Sequence, residues 1–340
     1  MNQPHPSMGL FPSSDFKDTH ILHSTKLGEN KLHVYLPNRD KFYTFSIFNK
    51  GQKFRFFAQE SISLPSGSIY LVGGQTASYE EDPYLADGIH NPSNLYTTNF
   101  VTKINLKKQN NFHIDITKMK PCQSLPEPRT SHLMIYQEPY IFIIGGYLEG
   151  NIPTKTCLKF HTKNKTWESI SDITFAQQLI EPCGIAIKSF LYVFDTAGKA
   201  NLPRIHRYSI ELNLWIEILI QQKNKLISIP PSLSCSIYQT KEDEIIIFSG
   251  KNLPGSPKSY YYTYNITSEE LGDIIVDDNL EQWKKEKQGN QNYISSQVIY
   301  AGLKDRKVKM FRKLEQKWME LELTPENVIV SDFGCCSRKK

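Results

Sequence analysis

The sequence predicts an all-β fold in which one four-stranded antiparallel unit is repeated six times. Three observations lead there. Short apolar runs closing on glycine recur along the chain, as 68–74 "SIYLVGG", 140–146 "YIFIIGG", 244–250 "EIIIFSG" and 296–302 "SQVIYAG". Each is followed by a second apolar run, a polar turn and a third run, as in 157–170 "CLKFHTKNKTWESI". A large side chain returns at a fixed distance, with Phe160 and Trp167, Tyr208 and Trp215, Tyr264 and Leu271, and Phe311 and Trp318 all seven apart.

The runs are strands because they are short, β-branched or aromatic, and bounded by Gly, Pro, Asn or Lys. No segment holds a period of 3.6, and the charged stretch 277–289 is the one short helix the sequence suggests. The seven-residue spacing fits a strand, a tight polar turn and a returning strand whose ring points inward. Asn105 and Phe112 share it. A further apolar run precedes most glycine runs, as in 131–136 "SHLMIY", 183–187 "CGIAI" and 233–238 "LSCSIY", which completes four strands, a to d.

The positions Leu36, Gly74, Gly146, Asp195, Gly250 and Gly302 mark equivalent points of six units. Most intervals are roughly 40 to 50 residues, the spacing of propeller blades around a channel. The reading is a single six-bladed β-propeller over 19–324, preceded by a disordered lead at 1–18 and followed by a C-terminal strand and basic tail at 325–340. The first unit, 31–57, lacks the glycines. Its strand a is either 19–25 "THILHST" or, from the other end of the chain, 328–336 "VIVSDFGCC". In the sixth unit, taking 296–302 as strand b preserves the Phe311 to Trp318 spacing, and a rival register makes it strand a.

A di-glycine ending an aliphatic strand, an aromatic a dozen or more residues on and a Trp seven later resemble the Kelch repeat. The segment 126–146 "PEPRTSHLMIYQEPYIFIIGG" is the most similar. The resemblance is specific at Gly73–Gly74 and Gly145–Gly146 and degenerate where Leu36, Asp195, Ser249 and Ala301 replace a glycine. It implies a Kelch-type propeller in which Gly73, Gly74, Gly145, Gly146 and Gly250 allow close backbone approach. Trp167, Trp215 and Trp318 would fill space between blades, and Arg129 would pin one blade to its neighbour. These are scaffold residues. Some Kelch-type propellers are enzymes, among them galactose oxidase-like copper enzymes and sialate mutarotases. Here the nine histidines are scattered, and no ligand set, nucleophile elbow or nucleotide loop can be assembled.

The charge of +5 is small for 340 residues, and the basic excess lies in 281–320. A solvated face explains it without nucleic acid. No run approaches the length of a membrane helix and no secretory signal is evident, so a cytoplasmic protein with free thiols at Cys122, Cys157, Cys183, Cys235, Cys335 and Cys336 is expected. No cofactor and no metal are expected.

In such a meander the b–c and d–a connections share one face, and the long connections, above all 75–99, fall there. Long loops on a rigid scaffold are where binding residues gather. Tyr79, Tyr84 and Tyr96, beside several acids, are candidate partner contacts, as is Trp283 with Lys284 and Lys285. The bland alternatives are a loop capping its own blade and a Trp anchoring a charged loop. The expected function is non-catalytic binding of another protein, as scaffold subunit or substrate-recognition component. A carbohydrate- or small-molecule-processing propeller is the alternative.

Overall fold

A strand that is apolar on both faces is buried only if another sheet covers each face, and this constraint sets the arrangement. The computed structural model describes residues 22–26, 31–36, 41–46, 54–57, 60–64, 66–78, 96–110, 113–173, 182–195, 204–219, 221–222, 225–226, 235–249, 260–276, 293–294, 298–304, 307–312, 317–322 and 328–331. Among them five sheets have four strands and one has seven, with two smaller sheets besides. No helix among them is long and apolar enough to cross a membrane.

Numbered along the chain, the second sheet joins Glu60–Ser63, Ser68–Val72, Val101–Asn110 and His113–Pro121. The third joins Leu133–Gln137, Tyr140–Ile144, Cys157–His161 and Trp167–Ile170. In the fourth are Cys183–Ile187, Phe190–Asp195, Arg204–Ser209 and Leu214–Leu219. The fifth is built on Cys235–Lys241, Glu244–Ser249, Tyr260–Asn265 and Glu270–Leu271. The sixth holds Tyr293–Ile294, Val298–Lys304, Lys307–Arg312 and Lys317–Glu322. In these five, each of the four strands pairs antiparallel with its sequence neighbour. Their first strands lie side by side in chain order.

Alternation along a strand divides the apolar residues between two cores. In the third sheet, Ile141 and Ile143 face Tyr70 and Val72 of the second. Phe142 and Ile144 face Leu191 and Val193 of the fourth. Tyr192 and Phe194, on the other side of the fourth sheet, meet Ile245 and Ile247 of the fifth. This double burial explains why the second strands read as continuous apolar runs. One ring contact recurs at each junction. Tyr70 meets Phe160 edge-on at 5.9 Å, Phe142 meets Tyr208 at 6.2 Å, and Phe194 meets Tyr264 at 6.1 Å. Each time a second-strand ring abuts the third-strand ring of the next sheet.

The seven-residue spacing is a cross-strand pair. Phe160 lies opposite Trp167, Tyr208 opposite Trp215, Tyr264 opposite Leu271 and Phe311 opposite Trp318. In the sixth sheet Tyr293–Ile294 pairs ahead of Val298–Lys304, which makes Val298–Lys304 its second strand. Trp215 is buried and Trp167 is half-buried, with their Nε1–H groups donating to the carbonyls of Ser171 and Gln123 on the chain leaving the preceding sheet.

Four expectations need correction. Asn105 and Phe112 are not such a pair, because that hairpin is longer and its turn follows Asn110, which pairs with His113. Phe54–Phe57 does not complete the first sheet but pairs with Gln75–Ser78. The fourth place of the first sheet is taken by Val328–Ser331, which runs parallel to Lys41–Ser46, while Leu22–Lys26 holds the opposite edge. The N-terminal segment is thus strand a, as one of the two readings has it, and only the placing of the C-terminal segment in that position is overturned, since it covers the opposite edge. Last, the thiols are not all alike: Cys122 and Cys157 are in no disulfide, but Cys183 is disulfide-bonded, since folding juxtaposes cysteines that sequence spacing leaves scattered.

Trp215 fills the junction of the third and fourth sheets, so Trp215→Ala should cost roughly 3–5 kcal/mol, as for other buried aromatics. Chemical denaturation measures this, and a midpoint equal to that of wild type would contradict the packing described.

Candidate functional site

The ends of the second and third sheets are joined by a polar frame. Gly73 and Gly74 end a second strand with φ of 58° and 90°, and Gly145 and Gly146 end the next with 61° and 97°. Side chains rarely adopt this region, so glycine is required. Space requires it too. A Cβ on Gly73 would collide with the Arg129 carbonyl oxygen, and one on Gly146 would lie 2.7 Å from the Thr130 carbonyl oxygen.

The room left by these glycines admits the chain at 129–132. Arg129 N–H donates to the Thr98 carbonyl at 3.1 Å, and the Arg129 carbonyl accepts from Gly74 N–H at 2.9 Å. Its fully buried guanidinium crosses to the third sheet, where Nη1 donates to the carbonyls of Gly145 at 3.2 Å and Thr156 at 3.1 Å. Nη2 donates to Thr156 Oγ1 at 2.9 Å and lies 3.6 Å from the exposed Glu127. Arg129 thus links two sheets through backbone on one side and side chain on the other. Burial pulls its pKa down and Glu127 counters this.

The frame continues outward. Thr130 and Tyr147 exchange a pair of backbone hydrogen bonds at 2.9 Å, and Thr154 N–H donates to Gly146. These bonds fix the hairpin of Tyr147–Leu148 and Ile152–Pro153. Glu149 in that hairpin accepts from Thr97 N–H at 2.7 Å, which ties it to the strand Tyr96–Thr97. The result is an exposed apolar group, with Tyr96 48%, Phe100 45% and Ile152 59% exposed, borne on connections hydrogen-bonded to the frame. Rings and an aliphatic side chain on an ordered polar support can bury area against a partner at low entropic cost. Among the described residues no three His, Cys, Asp or Glu side chains gather to hold a metal ion.

Of the partner contacts expected from sequence, Tyr96 is in this group. Tyr79, Tyr84, Trp283, Lys284 and Lys285 lie outside the described residues, as does Gly250, and of Trp318 the backbone alone is described. Sequence reasoning missed Phe100, Glu149 and Ile152. Isolated apolar residues in connections carry no period to reveal them.

His132 lies under the frame, its ring against Gly73. It is buried, and neither ring nitrogen has a hydrogen-bond partner. Burial, seconded by the Arg129 charge, pulls its pKa from 6.5 down to about 3. The unfolded chain therefore takes a proton below pH 6.5 that the folded chain refuses. Stability should fall between pH 6.5 and 3, by up to about 1.4 kcal/mol per unit. The His132→Leu variant should lack this component when denaturation midpoints are compared across that range, and parallel losses in the two proteins would refute it.

Compared with models of known families, the chain matches none, and no curated protein matches it.

Proposed function

We propose that the chain is a six-bladed Kelch-type propeller that works as a non-catalytic protein-interaction module, engaging a partner protein through the face of its b–c and d–a connections. Several features support the architecture. Four-strand meanders follow one another along the chain. The first strand of the first sheet lies beside the second strand of the sixth, and the C-terminal strand pairs into the N-terminal sheet. The Kelch-like glycines and Arg129 form the frame between blades two and three.

The observation carrying the function is the exposed trio of Tyr96, Phe100 and Ile152 on a hydrogen-bonded support. Exposed rings at fixed positions suit recognition. In this reading Tyr79, Tyr84, Trp283, Lys284 and Lys285 belong to the same face, and the acids of 80–87 and the lysines of 284–287 give it two zones of opposite sign that steer a partner.

The test is affinity capture with mass spectrometry, comparing two variants. One carries Tyr96→Ala, Phe100→Ala and Ile152→Ala. The other carries Glu138→Ala and Lys163→Ala, exposed residues in the turns at the opposite ends of the same strands. The triple variant should lose partners, with affinity reduced at least about tenfold, and the double variant should keep them. Loss confined to the double variant would overturn the assignment.

A further inference from the structure

The pattern Asn-X-Thr, an acceptor for N-linked glycosylation when X is not Pro, occurs twice in the chain, at 164–166 "NKT" and 265–267 "NIT". So short a pattern arises by chance and selects nothing by itself. The fold separates the two copies. Asn164 lies in the turn between Cys157–His161 and Trp167–Ile170 of the third sheet. Backbone N–H groups fix that turn. Lys165 N–H donates to the His161 carbonyl at 2.7 Å, His161 N–H to the Thr166 carbonyl at 3.0 Å, and Asn164 N–H to His161 Nδ1 at 3.2 Å. Asn164 and Thr166 are exposed, and among the described residues no hydrogen bond uses the Asn164 side-chain amide.

Asn265 is held differently. It is half-buried, its Nδ2 donates to Asp243 Oδ2 at 3.2 Å, and its Oδ1 accepts from the N–H groups of Thr267 and Ser268, both at 2.9 Å. A sugar on that nitrogen would lie against Asp243 and crowd the turn. On Asn164 it would displace no contact of the fold.

The second observation concerns the surroundings in which the chain folds. Cys183 is buried and disulfide-bonded. Cystines form and persist in oxidising compartments such as the secretory lumen, whereas cytosolic thiols are kept reduced. The same lumen is where N-linked oligosaccharide is added. A buried cystine and an open acceptor turn therefore point to one compartment through unrelated chemistry.

We propose that Asn164 carries an N-linked oligosaccharide, that Asn265 does not, and that the chain folds in an oxidising lumen in place of the cytoplasm expected from sequence. In the transfer, Asn164 Nδ2 attacks the first sugar carbon of a lipid-linked diphosphate oligosaccharide. The new N–C bond forms as the bond from that carbon to the diphosphate oxygen breaks. The diphosphate leaves with the electron pair and the amide gives up one proton, so nothing is oxidised or reduced. The glycan stands at the strand ends opposite Gly145 and Gly146, since His161 pairs with Tyr140 and Cys157 with Ile144. It leaves Tyr96, Phe100 and Ile152 uncovered, and the proposal does not rest on their role.

The test expresses the full chain in cells of its own organism and treats it with an amidase that removes N-linked glycans, leaving aspartate in place of the modified asparagine. Gel mobility should increase on treatment, and peptide mass mapping should find the conversion at position 164 alone. Asn164→Gln and Thr166→Ala should each abolish the mobility change. Thr166→Ser, which keeps the hydroxyl, and Asn265→Gln should retain it. Alkylation of the denatured, unreduced chain should leave Cys183 unlabelled. Four results would overturn the proposal: no mobility change, a change that persists in Asn164→Gln, glycan on Asn265, or an alkylated Cys183.

Discussion

The stacking of the second to fifth sheets rests on one repeated contact, in which a ring from the second strand of a sheet meets edge-on the third-strand ring of the next. Tyr70 with Phe160, Phe142 with Tyr208 and Phe194 with Tyr264 are the same joint made three times. Edge-on rings gain from their quadrupoles beyond the area they bury. The larger consequence is that each second strand has apolar residues on both faces, so a sheet taken alone leaves one face wet. Ile143 needs the sheet before it and Phe142 the sheet after it. Stability is therefore shared between neighbours, as in other stacked repeats.

Apolar contact along the sheet faces leaves the strand ends to be fastened separately. Arg129 does this at the second junction, with its charge balanced by carbonyls and by Glu127 at the surface. A buried cation is tolerable when hydrogen bonds and an ion pair compensate it, and here Nη1 and Nη2 make those contacts while Nε has no partner. The positive-φ glycines let the chain of one sheet come within hydrogen-bonding distance of the other. The tryptophan Nε1–H groups make a second kind of tie, each to the chain leaving the previous sheet. Burial of the neutral His132 under the frame belongs to the same design: an apolar seam admits a base only in its uncharged form.

The parts of this plan that are local were legible in the sequence. A tight turn fixes the distance between directly opposed residues, so the spacings at Phe160, Tyr208, Tyr264 and Phe311 reported true pairs. Second and third strands were also matched correctly across long connections, but the reading failed at other pairings that no tight turn sets. Asn105 belongs to a longer hairpin, and the partner of Lys41–Ser46 comes from the far end of the chain. No property of 41–46 announces a strand beginning at Val328. The cystine at Cys183 escaped for the same reason. In the candidate site, Tyr96 stood out as an aromatic in a long connection, whereas Glu149 matters through its hydrogen bond to Thr97, which only the fold creates.

A stack that consumes both faces of its sheets leaves two places for recognition, the connections at the strand ends and the edges of the outermost strands. Both carry apolar side chains here that the core does not use. At the strand ends, backbone hydrogen bonds from Gly74 to Thr98 to Arg129, and from Thr130 to Tyr147, fix the positions of the connections. Tyr96, Phe100 and Ile152 stand exposed on these connections. At the outer rim the requirement is opposite, since an open edge invites any extended chain. Trp167–Ile170 answers with polar residues and an ion pair. Leu214–Leu219 instead keeps Leu214 and Ile216 exposed, and among the described residues no strand pairs with its outer edge.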